Sequence, residues 1–373
     1  MNSSRIFLSA GEASGDTFGA ALVAELRSLR TDLEFQAVGG RRLKAANVPL
    51  VADSSHWGAI GIWQSFWVGL RALYSFNRVK AHMAKGEPGL FIPIDFGFMN
   101  IKLARHAKQL GWKVLYFIPP GSWRRDKQGA DLVTWTDAIS TPFPWSADIL
   151  NRMGANAHWF GHPIKQLLAQ ATPTPRGESL AVLPGSRTHE IENNLPVIAA
   201  SVNSRVEFAL APSVDLEEFK ARWIRLRPEG AQDVFTVGDT SGVLRRATAA
   251  IVCSGTATLE AALCRTPMIV VYRASKAMVL EAKIIRFKLP KFISLPNIVL
   301  DREVVPELIQ DGATPETLKN NLQPLQADSP TRSAQLHAFD ELDALLGPSD
   351  AISKTASLAL QLLSGQDRSS ESS

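Results

Sequence analysis

Short continuous apolar runs alternate with amphipathic stretches along almost the whole chain. Ile6–Ser9 is the first such run, within a strand over Arg5–Ala10. A helical stretch follows to about Leu29, with Phe18, Leu22, Leu26 and Leu29 at helical spacing. Phe35–Val38 reads as the next strand, followed by Gly39-Gly40 and a short helix. Gly89–Ile94, Lys113–Ile118, Ala138–Ser140 and His158–Phe160 continue the series, with a helix over Asn100–Gln109. Ala169–Glu178 is polar, carries two prolines and a glycine, and reads as a linker. The alternation then resumes. Strands are expected at Leu180–Leu183, Val206–Ala211, Asp233–Val237, Ala249–Cys253 and Met268–Tyr272, and helices over His189–Val202, near Asp215–Trp223 and over Ser241–Arg246.

Two βα series in succession predict an α/β protein of two Rossmann-like, doubly wound domains facing a cleft. The first domain is placed at 1–168 and the second at 169–345. A final apolar helix, within 346–365, is expected to pack back on the first domain. The tail 366–373 is expected to be disordered.

Residues 60–80 carry a different pattern. Trp63, Phe66, Trp67, Leu70, Leu73 and Tyr74 share one helical stripe, and Gln64, Arg71, Ser75 and Arg78 share the other face. Such a stripe reads either as core packing or as a helix lying on a membrane surface, with Arg71, Arg78 and Lys80 towards anionic headgroups.

Composition sharpens this only a little. The chain has 373 residues, 45% hydrophobic and 20% charged, which fits two globular domains. A net charge of +4 suits an anionic substrate or membrane surface and does not call for nucleic acid. No run reaches the roughly 18 apolar residues of a membrane span, and no signal peptide is expected before the first strand. The two cysteines, Cys253 and Cys264, lack metal-ligand spacing and read as reduced, buried residues of a cytosolic protein.

The candidate chemistry lies where strands break at glycine and helices open. Ser254-Gly255-Thr256 follows a buried run and begins a helix, with Ser254 or Thr256 as its N-cap. Backbone N–H groups there, with the helix dipole, suit a phosphate. Glu260, one turn on, can accept from a ribose hydroxyl. Leu183-Pro184-Gly185-Ser186-Arg187 is a second such turn, its Arg placed for a diphosphate. Ser294-Leu295-Pro296-Asn297 reads as a loop whose Asn suits a base edge. Gly11-Glu12-Ala13-Ser14-Gly15-Asp16 is either a ligand loop or a tight turn capped by Ser14 or Asp16. Asp95 ends a buried strand, where carboxylates of α/β sheets face ligands. It reads as a base or as a cap for the next helix, for which Asn100 is better placed. His162, in Gly161-His162-Pro163, reads as structural or substrate-orienting.

These stretches together resemble the lipid-A-disaccharide synthase family. The resemblance rests on Ala10–Asp16, Val38-Gly39-Gly40, Ile94-Asp95, Gly161-His162-Pro163, Leu183–Arg187 with Glu190, Ser254–Glu260 including Ala257, Tyr272-Arg273 and Ser294–Asn297. It implies a GT-B glycosyltransferase that moves 2,3-diacylglucosamine from UDP to the 6-hydroxyl of 2,3-diacylglucosamine 1-phosphate, without metal or cofactor. By that resemblance Asp95 is the base. Arg187, Glu190, Ser254, Gly255, Thr256, Ala257, Glu260, Tyr272 and Asn297 hold the UDP-sugar. Gly11, Glu12, Ser14, Gly15, Asp16 and His162 line the acceptor side. Trp63, Phe66, Trp67, Leu70, Arg71 and Arg78 face the membrane, and the protein sits on the cytoplasmic face of the bacterial inner membrane. A homodimer is compatible with the sequence.

The chain departs from the family pattern in its acceptor-side half. Phe98 stands where a second Asp is common, and Pro119–Arg125 replaces a Ser-Pro-x-x-Trp-Ala-Trp stretch. Without that second carboxylate, Asp95 is expected to be ionised at neutral pH with no like charge raising its pKa. Two other readings stay open: a divergent or epimerase-like enzyme on another UDP-sugar, and a degraded homologue that only binds nucleotide-sugar or lipid.

Overall fold

A computed structural model describes residues 4–55, 75–170, 175–275, 278–279 and 290–365. The chain forms two compact units. One comprises Met1–Leu167 with Leu346–Ser373, and the other Leu168–Leu345.

The first unit is built on a parallel sheet of seven strands. These are β1 (Arg5–Ala10), β2 (Glu34–Gly39), β3 (Leu50–Asp53), β4 (Leu90–Ile94), β5 (Lys113–Phe117), β6 (Ala138–Thr141) and β7 (Ala157–Trp159), in the order β3-β2-β1-β4-β5-β6-β7. β1 is buried from Ile6 onward and β4 throughout, as expected of central strands covered on both faces. The helices that do the covering include α1 (Ala13–Leu29), the short α2 (Arg41–Ala45), helical residues 75–83 as α3, and α4 (Gly97–Gln109). α5 (Ala130–Trp135), α6 (Pro144–Arg152) and α7 (Pro163–Ala169) follow. Phe18, Leu22 and Leu26 of α1 are buried, while Leu29 is 53% exposed and ends the stripe.

Asp16 explains one local feature. α1 begins at Ala13, so Asp16 lies within its first turn and neither caps it nor belongs to a loop. Its carboxylate accepts from the backbone N–H groups of Gly40 at 2.7 Å, Arg42 at 2.8 Å and Leu43 at 3.2 Å. These are the open donors at the start of α2, whose own N-cap, Gly40, has no side chain to offer. The Asp16 oxygens thus hold the start of a helix. Asp16→Ala should lower unfolding free energy by about 2–4 kcal/mol, because three N–H groups, two of them buried, lose a charged acceptor. Urea denaturation checks this, and Asp16→Asn should retain part of the loss.

The second unit repeats the plan with β8 (Ser179–Leu183), β9 (Val206–Leu210), β10 (Val234–Val237), β11 (Ala247–Val252), β12 (Met268–Tyr272) and β13 (Glu307–Ile309). They form a parallel sheet ordered β10-β9-β8-β11-β12-β13. α8 (Thr188–Ser201), α9 (Leu216–Leu226), α10 (Thr240–Arg246), α11 (Thr256–Leu263), α12 (Leu295–Leu300), α13 (Pro315–Leu322) and α14 (Pro330–Leu345) belong to it. Phe208 of β9 packs edge-on to Phe219 and Trp223 of α9 and stacks on Phe235 of β10, fixing this side of the core.

After α14 the chain re-enters the first unit. α15 (Ala351–Ser364) buries Ile352, Ala356, Ala359 and Leu363. Gln166 of α7 caps it, its Oε1 accepting from the backbone N–H groups of Ile352 at 2.8 Å and Ser353 at 3.2 Å. Thr355 of α15 shares a 2.7 Å hydrogen bond with Ser140 of β6. The aromatic stripe at Trp63, Phe66, Trp67, Leu70 and Arg71, and the tail 366–373, lie outside the described residues.

Candidate functional site

In a doubly wound sheet the chain proceeds outward in one direction from strand one, then returns and proceeds in the other. The loops leaving the two strands at that switch point diverge and open a crevice at their carboxyl ends. In the first unit the switch lies between β1 and β4, and in the second between β8 and β11. The loops that follow these four strands carry Gly11-Glu12, Asp95-Phe96, Pro184–Arg187 and Ser254-Gly255, the last opening α11 at Thr256. Stretches chosen from the sequence for their chemistry thus fall at the two switch points.

In the first unit, Phe96 lies over Gly11 so closely that a Cβ at position 11 would collide with its ring. Asp95 and Phe96 both have φ of +48°, the left-handed region, and Phe96 is the N-cap of α4 with no side-chain cap bond. α4 starts at Gly97, so neither Asp95 nor Asn100 caps it. Asn100 sits inside the helix, fully buried. The Asp95 carboxyl is pushed up from the ordinary 3.8 to about 6, first by burial and then by the charge of Glu12. The expectation of an Asp95 free of like charge is corrected. The second carboxylate comes from the loop after β1, not from the residue three places on. At pH 7 Asp95 is still mostly ionised, with a pKa suited to a base.

Ser14 is partly exposed in the first turn of α1, and Gly15 is buried there. His162 is buried, and burial drives its pKa down to about 3, so it is neutral. Its Nδ1 accepts from the backbone N–H of Ile164 at 3.2 Å, which places the proton on Nε2. Its ring packs against Phe18 and Phe143. His162 therefore opens α7 and packs between Phe18 and Phe143.

In the second unit, Glu190 folds back over the turn after β8. It accepts from the N–H groups of Ser186 at 3.1 Å and Arg187 at 3.2 Å and pairs with Arg187 Nη1 at 3.0 Å. The start of α8 thus already holds a carboxylate. The start of α11 is different. Its N-cap is Gly255, not Ser254 or Thr256, with φ of +104° and no side-chain cap bond. A Cβ there would meet nothing within 4 Å among the described residues. Thr258 Oγ1 donates to the Gly255 carbonyl at 2.8 Å and accepts from the Leu295 N–H at 3.1 Å, which fixes the loop's course. Thr256, Ala257 and Glu260 are partly exposed. Tyr272 ends β12 half-buried. Burial and then the charge of Glu190 raise its pKa, so it adjoins the same turn.

Asn297 spends its amide within the fold. It lies in α12, fully buried. Its Nδ2 donates to Val305 O at 2.9 Å and Glu307 Oε1 at 2.8 Å, and its Oδ1 accepts from the N–H groups of Val304 at 2.7 Å and Val305 at 3.0 Å. With both donors and both acceptor sites used, it ties α12 to the approach of β13. Cys253 and Cys264 are buried free thiols, each pushed up to about 12 by burial. Arg78, in α3, is exposed.

Comparison with known proteins agrees with this arrangement. A family model for lipid-A-disaccharide synthetase matches residues 6–360. The lipid-A-disaccharide synthase of Myxococcus xanthus is 32% identical over 382 residues, covering 97% of this chain and 98% of its own. Among solved structures, a putative UDP-N-acetylglucosamine 2-epimerase from Listeria monocytogenes aligns with a TM-score of 0.66 at 12% identity, covering 99% of this chain and 98% of its own. CalG4, the calicheamicin glycosyltransferase, aligns with a TM-score of 0.57 at 15% identity, covering 99% and 100%. Identities this low speak to the fold alone, and that fold is GT-B. Full-length similarity to the synthases goes further than fold: the chain belongs to the lipid-A-disaccharide synthase family, glycosyltransferases of lipid A biosynthesis.

Proposed function

We propose that this chain transfers 2,3-diacylglucosamine from UDP to the 6-hydroxyl of 2,3-diacylglucosamine 1-phosphate, giving a β-1,6-linked disaccharide 1-phosphate and UDP. One observation carries the reading. A carboxylate with a pKa of about 6 stands at the switch point of the first sheet, held in a left-handed backbone. Inverting transfer needs such a group beside the acceptor oxygen. In this reading Asp95 takes the hydroxyl proton as the oxygen attacks the anomeric carbon from the side opposite the leaving UDP. The bond to the diphosphate breaks as the new glycosidic bond forms. Charge developing on the diphosphate is met by Arg187 and by the N–H groups at the start of α11. Gly11, Glu12 and Ser14 border the acceptor side.

Both proposed substrates carry acyl chains, so the reading places the enzyme peripherally on the cytoplasmic face of the inner membrane. No described helix is long and apolar enough to cross a membrane. The stripe from Trp63 to Arg78 is the part proposed to meet the surface.

Purified protein should release UDP from UDP-2,3-diacylglucosamine only when the monosaccharide acceptor is present, with a disaccharide 1-phosphate as product by mass spectrometry. Consumption of the sugar nucleotide without acceptor would favour the epimerase-like alternative. Binding without turnover would favour a degraded homologue.

A further inference from the structure

Two consecutive non-glycine residues with positive φ are strained and persist only where the surroundings enforce them. At Asp95-Phe96 the enforcing groups are identifiable. The Asp95 carbonyl accepts from Asn100 Nδ2 at 2.9 Å and from the Tyr116 hydroxyl at 2.9 Å. The Asp95 N–H reaches the carbonyls of Phe117 and Ile118, both at 3.2 Å. Both faces of this residue's backbone are therefore fixed.

The two donors are themselves held. Asn100 Oδ1 accepts from Ser9 Oγ at 2.6 Å, and its Nδ2 also lies 2.9 Å from Ser9 O and 3.1 Å from Ile94 O. Asn100 and Tyr116 are both fully buried. The Tyr116 hydroxyl keeps its proton, since burial and the Asp95 charge hold its pKa well above the ordinary value. One amide thus joins β1, the end of β4 and α4, and the hydroxyl adds β5.

We infer that Asn100 and Tyr116 are positioning residues that clamp the Asp95 peptide and so set where its carboxylate meets the acceptor hydroxyl. The inference rests on Asp95 being the base. Both bonds go to the peptide oxygen, so the clamp acts on where the carboxylate sits. Released from it, the Asp95 backbone relaxes towards the extended region and swings the carboxylate away. A displacement of about 1 Å can cost on the order of 10²-fold in rate.

Tyr116→Phe tests this with the ring and its packing retained. Its kcat should fall about tenfold, with KM for both substrates within about twofold of wild type. In the Asp95→Asn protein the same change should not lower the residual rate further. Asn100→Ala, which removes several bonds at once, should cost more. A wild-type kcat for Tyr116→Phe alongside an impaired Asp95→Asn would overturn this inference alone. So would an equal loss from Tyr116→Phe in both backgrounds, which marks a role in packing only. A fully active Asp95→Asn would overturn the base assignment and this inference together.

Discussion

Asp95→Asn should lower the rate of sugar transfer by roughly 10²–10⁴-fold, the usual range for a positioned base, with UDP affinity nearly unchanged. The same substitution should stabilise the fold. A carboxyl raised from 3.8 to about 6 binds its proton more tightly in the folded chain than in the unfolded one. The charged form therefore weakens the fold. The penalty is absent below about pH 4, grows as pH rises through 6 and is complete above it, reaching at most about 3 kcal/mol. At pH 7.5 Asp95→Asn should melt higher than wild type, and the gap should close as pH approaches 4. Wild-type activity should lose rate on the acid side with a midpoint near 6. Glu12→Gln should move that midpoint down by removing the like charge. An Asn variant with wild-type rate and melting temperature would take Asp95 out of the mechanism.

Arg187→Ala should reduce kcat/KM for the sugar nucleotide by about 30- to 900-fold, the equivalent of roughly 2–4 kcal/mol for a charge-assisted contact to a diphosphate. The structure gives this a second part. Glu190 lies 3.0 Å from the guanidinium and is nearly buried. Without Arg187 its carboxylate remains at the start of α8 and opposes the incoming diphosphate. Arg187→Lys restores charge but not the forked geometry and should fall between the two. Glu190→Gln in the Arg187→Ala background should recover part of the affinity if this repulsion contributes. Isothermal titration with UDP reads both effects, and unchanged UDP affinity and unchanged rate in Arg187→Ala would remove the residue from the site.

The central strands were legible because they are continuous apolar runs broken by glycine, and all four switch-point loops follow such runs. Two of the four edge strands, β3 and β13, were not. They span four and three residues, and nothing in their pattern sets them apart from loops. Ser294–Asn297 reads as a loop from its Pro, yet Pro is well accommodated in the first turn of a helix, where no N–H partner is lost. Asp16 and Asn297 each have side-chain chemistry suited to a ligand, and each bonds groups of the fold that only the folded chain brings near. Asp95 likewise meets a like charge, Glu12, from another loop, so that interaction has no signature in local spacing. Asn100 carries a signal, five residues after Asp95, but by sequence it reads as a cap because capping is what Asn does near helix starts.

The crossing back at Leu346 bears on how the chain is made. Because α15 belongs to the first unit, the second unit is an insertion within the sequence of the first. A nascent chain emerging from the ribosome can complete the second sheet while the first still lacks a covering helix. The hydroxyl of Ser140 and the amide oxygen of Gln166 wait for partners 215 and 186 residues further along the chain. A premature stop after Leu345 would spare the segment nearest the break and cripple the unit that begins at the amino terminus.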